Sequence, residues 1–303
     1  MSRVWGLAAG LALVTAPAVA EEVIPVPGFG DFIAVDGATV WLTNRGRVEH
    51  WSRQGLLASV AMPHPCGAMA VAEGALWVAD CAAGDVDRID LASGAIVAAV
   101  HSGVGNPRGE LNVVAGAGSV WVTSEAKGVI ARIDPAGNRV VATVKVDPDA
   151  FYLAYGLGAL WAVSGTKGTI EKIDPASNRV VTRTALGKEP GFLVAGEGAV
   201  WVQEQGDGTL ARVDAGSGAV SGRVKVGASL KWGDIDAAGG QVWLRTTDDQ
   251  VFAAVDPASL KVTARVGAPA GSGGLRATAD GIWTTAHDHH TLTWWPLPLA
   301  VKP

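Results

Sequence analysis

Seven tryptophans recur along the chain in one local context, where a glycine-containing turn and an aliphatic residue precede the indole. They are Trp41, Trp77, Trp121, Trp161, Trp201, Trp243 and Trp283, with spacings of 36, 44, 40, 40, 42 and 40 residues. An apolar column stands eight residues before them, at Ile33, Met69, Val113, Leu153, Leu193, Ile235 and Leu275. A repeat of about 40 residues is typical of a unit that buries its faces against copies of itself. The chain must therefore be built from seven similar units.

Each unit carries the pattern of four short antiparallel strands. Alternation rich in valine and threonine, as in RVVATVKV at 139–146, has the period of two that strands require. Asp-Pro-Ala-x-Asn at 134–138 and 174–178 is a turn signal, because proline presets φ and asparagine tolerates the left-handed conformation. Four strands in about 40 residues indicate a propeller blade rather than a helical solenoid. We predict an all-β chain with a single seven-bladed β-propeller domain over residues 21–303.

The last unit is shorter than the others. After Trp283 there is room for one further strand, around Thr291 to Trp295, before Pro296 and Pro298 interrupt the pattern. The segment 22–26 is short and extended in character. We predict that it supplies the outermost strand of the last blade, which closes the ring and limits exposed strand edges.

Residues 1–20 have the pattern of a secretory signal peptide. Arg3 supplies a positive charge, residues 4–14 are apolar, and Ala18-Val19-Ala20 fits the small-x-small rule for cleavage. We expect cleavage after Ala20 and a periplasmic or secreted protein. No later stretch is long and apolar enough for a transmembrane span of about 20 residues.

The charge balance argues against one class of partner. The chain has 24 Lys and Arg against 29 Asp and Glu, a formal charge of −5, whereas nucleic-acid-binding domains normally carry a basic excess. Two cysteines are too few for a cysteine-rich zinc module. We expect a monomer that binds no nucleic acid and presents its central funnel to a small molecule or a partner protein.

The 12 tryptophans call for a positional explanation. We expect the seven that share the repeat to pack between adjacent blades, one at each interface, because large aromatic side chains dominate the energetics of cores. Trp232 lies outside this set. It is the better candidate for contact with a ligand.

The two cysteines, Cys66 and Cys81, flank a predicted hairpin that turns at Glu73-Gly74. Both lie at the same distance from the turn, so the pattern places them opposite each other on the first two strands of the second blade. Opposed strand positions bring Cβ atoms close enough for a disulfide. An exported protein meets an oxidising compartment, so we predict a Cys66–Cys81 disulfide.

The repeat resembles that of a known family. VWVTSEAKGVIARIDPAGNRVVATVKV at 120–146 and GTIEKIDPASNRVVTRTALG at 168–187 are similar to the repeat of YVTN-type bacterial β-propellers. Those propellers are related to streptogramin (virginiamycin B) lyases, and both groups are seven-bladed. The resemblance extends over residues 30–295. From the lyases it implies a chemistry of histidine, acidic residues and a divalent metal on the inner strands, and His64-Pro65-Cys66-Gly67 comes nearest to such a motif.

The segments that lead into the inner strand of each blade are the candidate site. Propellers place ligands at the mouth of the central channel, and loops on a rigid frame commonly carry function. These segments, which differ from blade to blade, are 30–32, 64–66, 107–110, 149–152, 189–192, 231–234 and 273–276. The candidate catalytic residues are His64, Glu110, Tyr152 and Asp234. The candidate ligand-binding residues are Asp31, Arg108, Asp149, Lys231, Trp232 and Arg276. Turns at the same face add Glu125, Glu204, Arg245 and His287.

Three interpretations of these charges stay open. Oxygen ligands from Asp31, Glu110, Asp149 and Asp234 suit a hard divalent cation such as Mg²⁺ or Ca²⁺. Alternatively, Arg108, Lys231 and Arg276 bind an anionic ligand, with Tyr152 or His64 in proton transfer. In the third interpretation the charges pair with one another around a wet channel.

The run His287-Asp288-His289-His290 resembles a metal site in composition. In a strand, His287 and His289 would share a face, whereas in a turn they need not. Closed metal sites normally need further ligands, and adjacent histidines in a surface turn are more often solvated.

Two functions follow from the sequence. The first is an exported binding propeller that holds a small ligand or a partner protein at its funnel. The alternative is an enzyme of lyase or lactone-opening type that uses a divalent metal and inner-strand acidic and basic residues.

Overall fold

A computed structural model describes residues 20–105, 109–124, 127–230, 233–246 and 250–299. Across these residues the chain forms seven four-stranded antiparallel sheets. The innermost strand of each sheet contacts the innermost strands of its two neighbours, so the sheets form a closed ring around a central channel. The predicted all-β, seven-bladed propeller is confirmed. The predicted leader lies outside the described residues except for Ala20.

Blades 1 to 6 each run from the inside to the outside of the ring in chain order. Blade 1 is β2 (Ile33–Asp36), β3 (Thr39–Asn44), β4 (Arg47–Ser52) and β5 (Gly55–Ala61). Blade 2 is β6 (Pro65–Ala72), β7 (Ala75–Asp80), β8 (Asp85–Asp90) and β9 (Ile96–His101). Blade 3 is β10 (Leu111–Gly116), β11 (Ser119–Ser124), β12 (Val129–Asp134) and β13 (Arg139–Lys145).

The second half of the ring repeats this arrangement. Blade 4 is β14 (Ala150–Gly156), β15 (Ala159–Ser164), β16 (Thr169–Asp174) and β17 (Arg179–Ala185). Blade 5 is β18 (Pro190–Gly196), β19 (Ala199–Glu204), β20 (Thr209–Val213) and β21 (Val220–Lys225). Blade 6 is β22 (Ile235–Ala238), β23 (Gln241–Arg245), β24 (Phe252–Asp256) and β25 (Lys261–Val266). Blade 7 is β26 (Leu275–Ala277), β27 (Gly281–Ala286), β28 (Thr291–Pro296) and β1 (Glu22–Pro25), with a 3₁₀ helix, His287–His289, before β28.

The seventh blade is completed from the other end of the chain, as predicted. Strand β1 pairs antiparallel with β28, in a register that runs from Glu22 opposite Trp294 to Pro25 opposite Thr291. The amide of Val26 extends this pairing by donating to the carbonyl of His290 at 2.7 Å. The ring is therefore closed by backbone hydrogen bonds.

The seven repeated tryptophans lie between the blades. Each belongs to a different hydrophobic cluster, and each cluster joins two neighbouring blades. None of the seven is more than 3% exposed. Trp161, for example, packs with Leu193, Val200 and Val202 of the next blade. The predicted role of one tryptophan at each interface is confirmed.

A second repeated contact, not predicted from the sequence, joins the outer parts of the blades. A basic residue of the third strand lies over the tryptophan ring, with the Arg132 guanidinium 4.7 Å from the centroid of Trp121. Its Nη1 then donates to Pro175 O and to Asn178 Oδ1 in the next blade, at 2.7 and 2.9 Å. Arg88 makes the same contacts one blade earlier. The Asp-Pro-Ala-x-Asn turn thus has two roles. It reverses the chain, and it accepts hydrogen bonds from the arginine of the preceding blade.

The structure contains the predicted disulfide between Cys66 and Cys81, whose Cα atoms are 6.0 Å apart. The register behind the prediction is wrong, because Cys66 lies opposite Ala79 and not opposite Cys81. An irregularity between Cys66 and Ala70 shifts the pairing of β6 with β7, and the sequence pattern does not show it. Both cysteines are buried.

Replacing both cysteines by alanine is expected to lower the free energy of unfolding by about 3 kcal/mol, because the bond closes a loop of 15 residues in the unfolded chain. Urea denaturation of wild type and of Cys66→Ala/Cys81→Ala measures this loss. A reducing agent should destabilise the wild type to a similar degree and leave the double variant unchanged. Equal sensitivity of both proteins to reduction would contradict the prediction.

No helix among the described residues is long and apolar enough to cross a membrane.

Candidate functional site

The central channel is lined by two rings of side chains that flank the apolar column. Because successive side chains of a strand alternate between faces, the residues directly before and after a column residue share one face. The residues directly before the column form what we call the entrance ring: Phe32, Ala68, Asn112, Tyr152, Phe192 and Asp234. The residues directly after it form the inner ring: Ala70, Val114, Ala154, Val194, Asp236 and Arg276. Together they enclose a cavity of about 360 Å³.

Aromatic side chains make up half of the entrance ring. The rings of Tyr152 and Phe192, from adjacent blades, have centroids 4.8 Å apart, and Phe32 lines the same cavity from blade 1. Tyr152 was a predicted site residue, whereas Phe32 and Phe192 were not chosen. The signal that identifies them is their position directly before the apolar column.

Asn112, which was not among the predicted site residues, completes the polar part of the entrance ring. Its side chain is only 6% exposed, and Oδ1 has no hydrogen-bond partner among the described residues. A buried carbonyl oxygen without a donor is costly. This oxygen is also closed to solvent, so it is an unsatisfied acceptor within the wall of the channel.

The inner ring departs from the repeat in two neighbouring blades. In four blades its members are alanine or valine, but Asp236 and Arg276 take these positions in blades 6 and 7. Arg276 forms an ion pair with Asp234, and the amide of Ala277 donates to Asp236 Oδ2 at 2.9 Å. A charged group is expensive inside a propeller unless it is paired. Blades 6 and 7 thus share one largely buried ionic group, in which Asp234 is buried and Asp236 and Arg276 are partly exposed.

The surroundings of this ionic group change the pKa values of Arg276 and Asp236. Burial opposes the charge of Arg276, but the carboxylates of Asp234 and Asp236 outweigh it and raise the pKa of the guanidinium. Burial also raises the pKa of the Asp236 carboxyl, against the effect of Arg276. The three side chains thus stabilise one another's charge by mutual contact, although Arg276 keeps part of its surface exposed.

A second cavity, of about 390 Å³, adjoins the channel at Phe32, which lines both. It is lined by Phe29, Asp31, His64 and Glu110, together with Arg45. Three of the predicted site residues, Asp31, His64 and Glu110, are therefore brought together. We call the two cavities together the funnel.

The carboxyl of Asp31 is influenced by charges in both cavities. Burial, followed by the charges of Glu110, Asp234 and Asp288, raises the pKa of its carboxyl from the ordinary 3.8 to about 7. Its backbone is held from blade 7, where the Thr285 hydroxyl donates to the Asp31 carbonyl at 2.6 Å. Near neutral pH the carboxyl can therefore both hold and release a proton.

The raised pKa of Asp31 predicts a pH-dependent cost to stability. When the pKa of a carboxyl is higher in the folded than in the unfolded state, its ionisation destabilises the folded protein. For Asp31 the free energy of unfolding should therefore fall as the pH rises from about 4 to about 7. Asp31→Asn should therefore be more stable than wild type by up to about 4 kcal/mol at pH 8, the free energy that corresponds to a rise in pKa from 3.8 to about 7, and equal to it near pH 4. Urea denaturation at both pH values measures the difference. Asp280→Asn, at an exposed turn, is the control, and a loss of stability in Asp31→Asn at both pH values would contradict the prediction.

The other predicted site residues are placed outside the funnel or outside the described residues. Asp149 lines neither cavity, and its carboxylate accepts from the amide of Thr166 at 3.0 Å and from the Thr166 hydroxyl, which fixes a turn. Arg108, Lys231 and Trp232 lie outside the described residues, and so does Glu125.

Two charged turn residues at this face serve the scaffold. Glu204 is buried and accepts from Arg223, Thr209 and the amide of Gly187. Arg245 is also buried and donates to backbone carbonyls, among them Val251 O at 2.8 Å. The interpretation that charges pair with one another fits Glu204, which forms an ion pair with Arg223, whereas Arg245 is held by backbone carbonyls.

Within the described ranges, no group of three or more His, Cys, Asp and Glu side chains is arranged to hold a metal ion. The histidines of the run 287–290 turn to different partners. His287 stacks on Phe29 with centroids 4.1 Å apart, and His290 Nδ1 lies 2.7 Å from Gly28 O. A divalent metal stays a prediction.

Solved structures with this fold share little sequence identity with the chain. Virginiamycin B lyase from Staphylococcus aureus has a TM-score of 0.77 at 17% identity, covering 91% of this chain and 98% of its own. A streptogramin B lyase has 0.75 at 14%, covering 91% and 96%. Hydrazine synthase of Kuenenia stuttgartiensis has 0.75 at 15%, covering 96% and 100%. These values confirm the predicted likeness to streptogramin-lyase-like propellers for the fold alone.

No protein-family model matches the sequence, and no curated protein does. The predicted YVTN repeat is therefore not confirmed as a family assignment.

Proposed function

We propose that the protein binds a small ligand in its funnel. The observation that carries this proposal is the contrast between scaffold and lining. Seven blades repeat the same tryptophan and the same apolar column, yet the channel positions beside that column hold three aromatic rings, a buried amide and an ionic group. A concave cavity on which a few polar groups converge is the usual form of a small-molecule site.

The dimensions of the funnel support a small organic ligand over a protein partner. Each of its two cavities has about the volume of a small organic molecule, 360 and 390 Å³. The aromatic rings lie within the channel, where a flat protein surface would not reach them. A protein partner at the rim is the less favoured form of the same proposal.

We further propose that the mature protein is exported as a monomer of residues 21–303. The leader pattern of residues 1–20 and the buried disulfide both support an oxidising destination. Intact-mass analysis of protein from the periplasm or medium should give a chain that starts at Glu21. A mature chain that retains residues 1–20 would contradict this proposal.

Binding is tested by screening a small-molecule collection for ligands that raise the melting temperature of the mature protein. Any ligand found should bind Phe192→Ala at least about tenfold more weakly, because that ring forms part of the channel wall. The matched control is Val181→Ala, at an exposed position of an outer strand, which should bind like wild type. Ligands that bind wild type and Phe192→Ala equally would place the site elsewhere and overturn the proposal.

A lyase or lactone-opening enzyme is the second candidate. The carboxyl of Asp31, with a pKa of about 7 beside Glu110 and His64, has the proton affinity that suits a general acid or base. The two lyase structures with this fold agree with such an activity without establishing it. The enzyme hypothesis includes a divalent metal, but the described part of the chain contains no group of three or more side chains arranged to bind one.

Turnover separates the two candidates. An enzyme should open a cyclic ester, and Asp31→Asn should abolish the reaction, because it removes the proposed general acid or base. Metal analysis with and without a chelator tests the divalent ion directly. Binding without turnover, in protein loaded with Mg²⁺ or Ca²⁺ as well as without, would favour the binding propeller.

A further inference from the structure

We propose that the outer side of blade 2 binds an arginine side chain of a partner protein at Asp87. Asp87 lines neither cavity of the funnel, and the proposal is independent of the ligand proposed there. Two features support it. The first is a buried carboxylate that has no partner among the described residues, and the second is an arginine that covers the same position in another blade.

One position of the third strand carries a carboxylate in three blades. This position lies opposite the residue that follows the repeated tryptophan, and it is Glu49 in blade 1, Asp87 in blade 2 and Glu171 in blade 4. All three side chains are buried. A buried carboxylate is costly unless it is paired or hydrogen-bonded. The partners of each carboxylate therefore show how its charge is stabilised.

The carboxylates of blades 4 and 1 each have an arginine. Arg183, opposite Glu171 on the outer strand, donates through Nη2 and Nε to Glu171 Oε1 at 2.5 and 3.1 Å. The amide of Asp147, in the loop from the preceding blade, donates to Glu171 Oε2 at 2.7 Å. In blade 1, Arg47 Nε donates to Glu49 Oε1 at 2.6 Å. Arginine is thus the cation that this position receives within the protein.

Asp87 lacks the partners that blade 4 provides. Ala99 stands opposite it on the outer strand, where blade 4 has Arg183. Pro63 occupies the place of Asp147 in the loop, because both directly follow a residue whose amide bonds to the glycine before a third strand. Proline has no amide to donate. No described residue forms a hydrogen bond or an ion pair with the Asp87 carboxylate.

The nearest carboxylates to Asp87 already have partners of their own. Asp80 Oδ1 accepts from the amide of Ala82 at 3.0 Å, and Asp85 Oδ1 lies 2.9 Å from His101 Nδ1. Burial, followed by the charges of Asp80 and Asp85, raises the pKa of the Asp87 carboxyl from 3.8 to about 6. It is therefore largely ionised at pH 7.5, and it is the carboxylate of this group that still needs a cation.

The Asp87 carboxylate can be reached from outside the ring. In blade 4, Arg183 reaches Glu171 across the outer strand, and its side chain is 51% exposed. The small side chain of Ala99 is exposed at the same place in blade 2, and Asp87 keeps 8% of its surface accessible. Val97, two residues from Ala99, is 55% exposed. A partner's arginine can therefore follow the path of Arg183, while these apolar side chains contact the rest of the partner chain.

A guanidinium suits this position better than an ammonium. Its planar fork presents two N–H groups to one carboxylate, as Arg183 does to Glu171. A lysine offers a single charged group that water solvates more strongly. The expected order of affinity is arginine, then lysine, then a neutral side chain of the same shape.

Three peptides test the proposal: acetyl-glycyl-arginyl-glycinamide and its lysine and citrulline analogues. Two-dimensional NMR of the full mature protein at pH 7.5 follows the backbone amides of Ala99 and His101 as each peptide is added to about 10 mM. The arginine peptide is expected to shift these signals. It should bind at least about threefold more tightly than the lysine peptide and about tenfold more tightly than the citrulline peptide, which keeps the shape without the charge.

Ala99→Arg supplies the missing side chain from the protein itself. It should raise the melting temperature by about 2 °C or more and weaken the arginine peptide at least about tenfold, because the Asp87 carboxylate is then occupied. Thr143→Arg is the matched control, since it stands at the same place in blade 3 opposite Ala131, where there is no carboxylate. It should change neither quantity. Asp87→Asn, which keeps the shape and removes the charge, should abolish the preference for arginine over citrulline.

Several results would overturn the proposal. One is the absence of any shift with the arginine peptide at about 10 mM, and another is equal binding of the arginine and citrulline peptides. Undiminished binding to Ala99→Arg or to Asp87→Asn would place the site elsewhere, and tighter binding of the lysine peptide would overturn the assignment to arginine. These results leave the funnel untouched, because its ligand is tested by the separate screen.

Discussion

Replacing Arg276 by methionine is expected to lower the free energy of unfolding by about 3–5 kcal/mol at pH 7, the usual cost of breaking a buried ion pair from one side. Asp234 is 7% exposed and would lose its ion-pair partner, and Asp236 would lose the nearest positive charge. Methionine keeps most of the length of the side chain, so the expected loss comes from the charge and not from a cavity. Urea denaturation of the variant and of wild type measures it.

The dependence of this loss on pH identifies its cause. Burial raises the pKa of the Asp236 carboxyl and Arg276 lowers it, so removal of Arg276 should raise that pKa further, and the loss is greatest where the carboxyl is ionised. It should shrink as the pH falls and the Asp236 carboxyl takes up a proton in the folded protein. The triple variant Asp234→Asn/Asp236→Asn/Arg276→Met is the control and should recover much of the stability at pH 7. A loss that is the same at pH 4 and pH 8 would contradict the electrostatic account.

Truncation of one interface tryptophan has an effect of similar size. Trp161→Ala is expected to cost about 3–5 kcal/mol, because the indole is fully buried between blades 4 and 5 and its removal leaves a large cavity. The indole N–H also donates to the carbonyl of Gly156 at 3.3 Å, and that acceptor would lose its partner. Chemical denaturation at constant pH gives the difference directly.

Trp161→Phe is the matched variant. Phenylalanine keeps most of the apolar contact and loses the indole N–H, so a cost of about 1–2 kcal/mol is expected. Val181→Ala, at an exposed outer position, should change stability by less than about 0.5 kcal/mol. Equal losses for Trp161→Ala and Val181→Ala would mean that the interface tolerates the cavity.

The fold could be predicted because its signals are repeated. Seven copies of one tryptophan context average out local exceptions, and turns such as 134–138 and 174–178 mark the strand boundaries. The pairing of the two ends followed from a blade that was one strand short. The register of Cys66 could not be predicted, because an irregularity in a strand leaves the hydrophobic alternation around it nearly unchanged.

The candidate site could be predicted only in part, and the reason is physical. Loop position identified Asp31, Glu110 and Asp234 near the funnel, but it also selected Asp149, whose carboxylate holds a turn through Thr166. A carboxylate can bind a ligand or a backbone amide equally well, and a linear sequence does not show which donors lie nearby. Asn112 was overlooked because a polar residue beside an apolar column is visible as a channel position only once the strand face is known.

The pairing of β1 with β28 has a consequence for how the molecule comes apart. An open array of repeats can lose its terminal repeats first, because each repeat is supported only by its nearest neighbours. In this ring every blade has two neighbours, and each shared interface contains one tryptophan cluster. Opening any interface weakens two blades at once and creates two uncapped ends. Closure therefore makes cooperativity a property of the whole ring, so that the seven blades unfold as one unit.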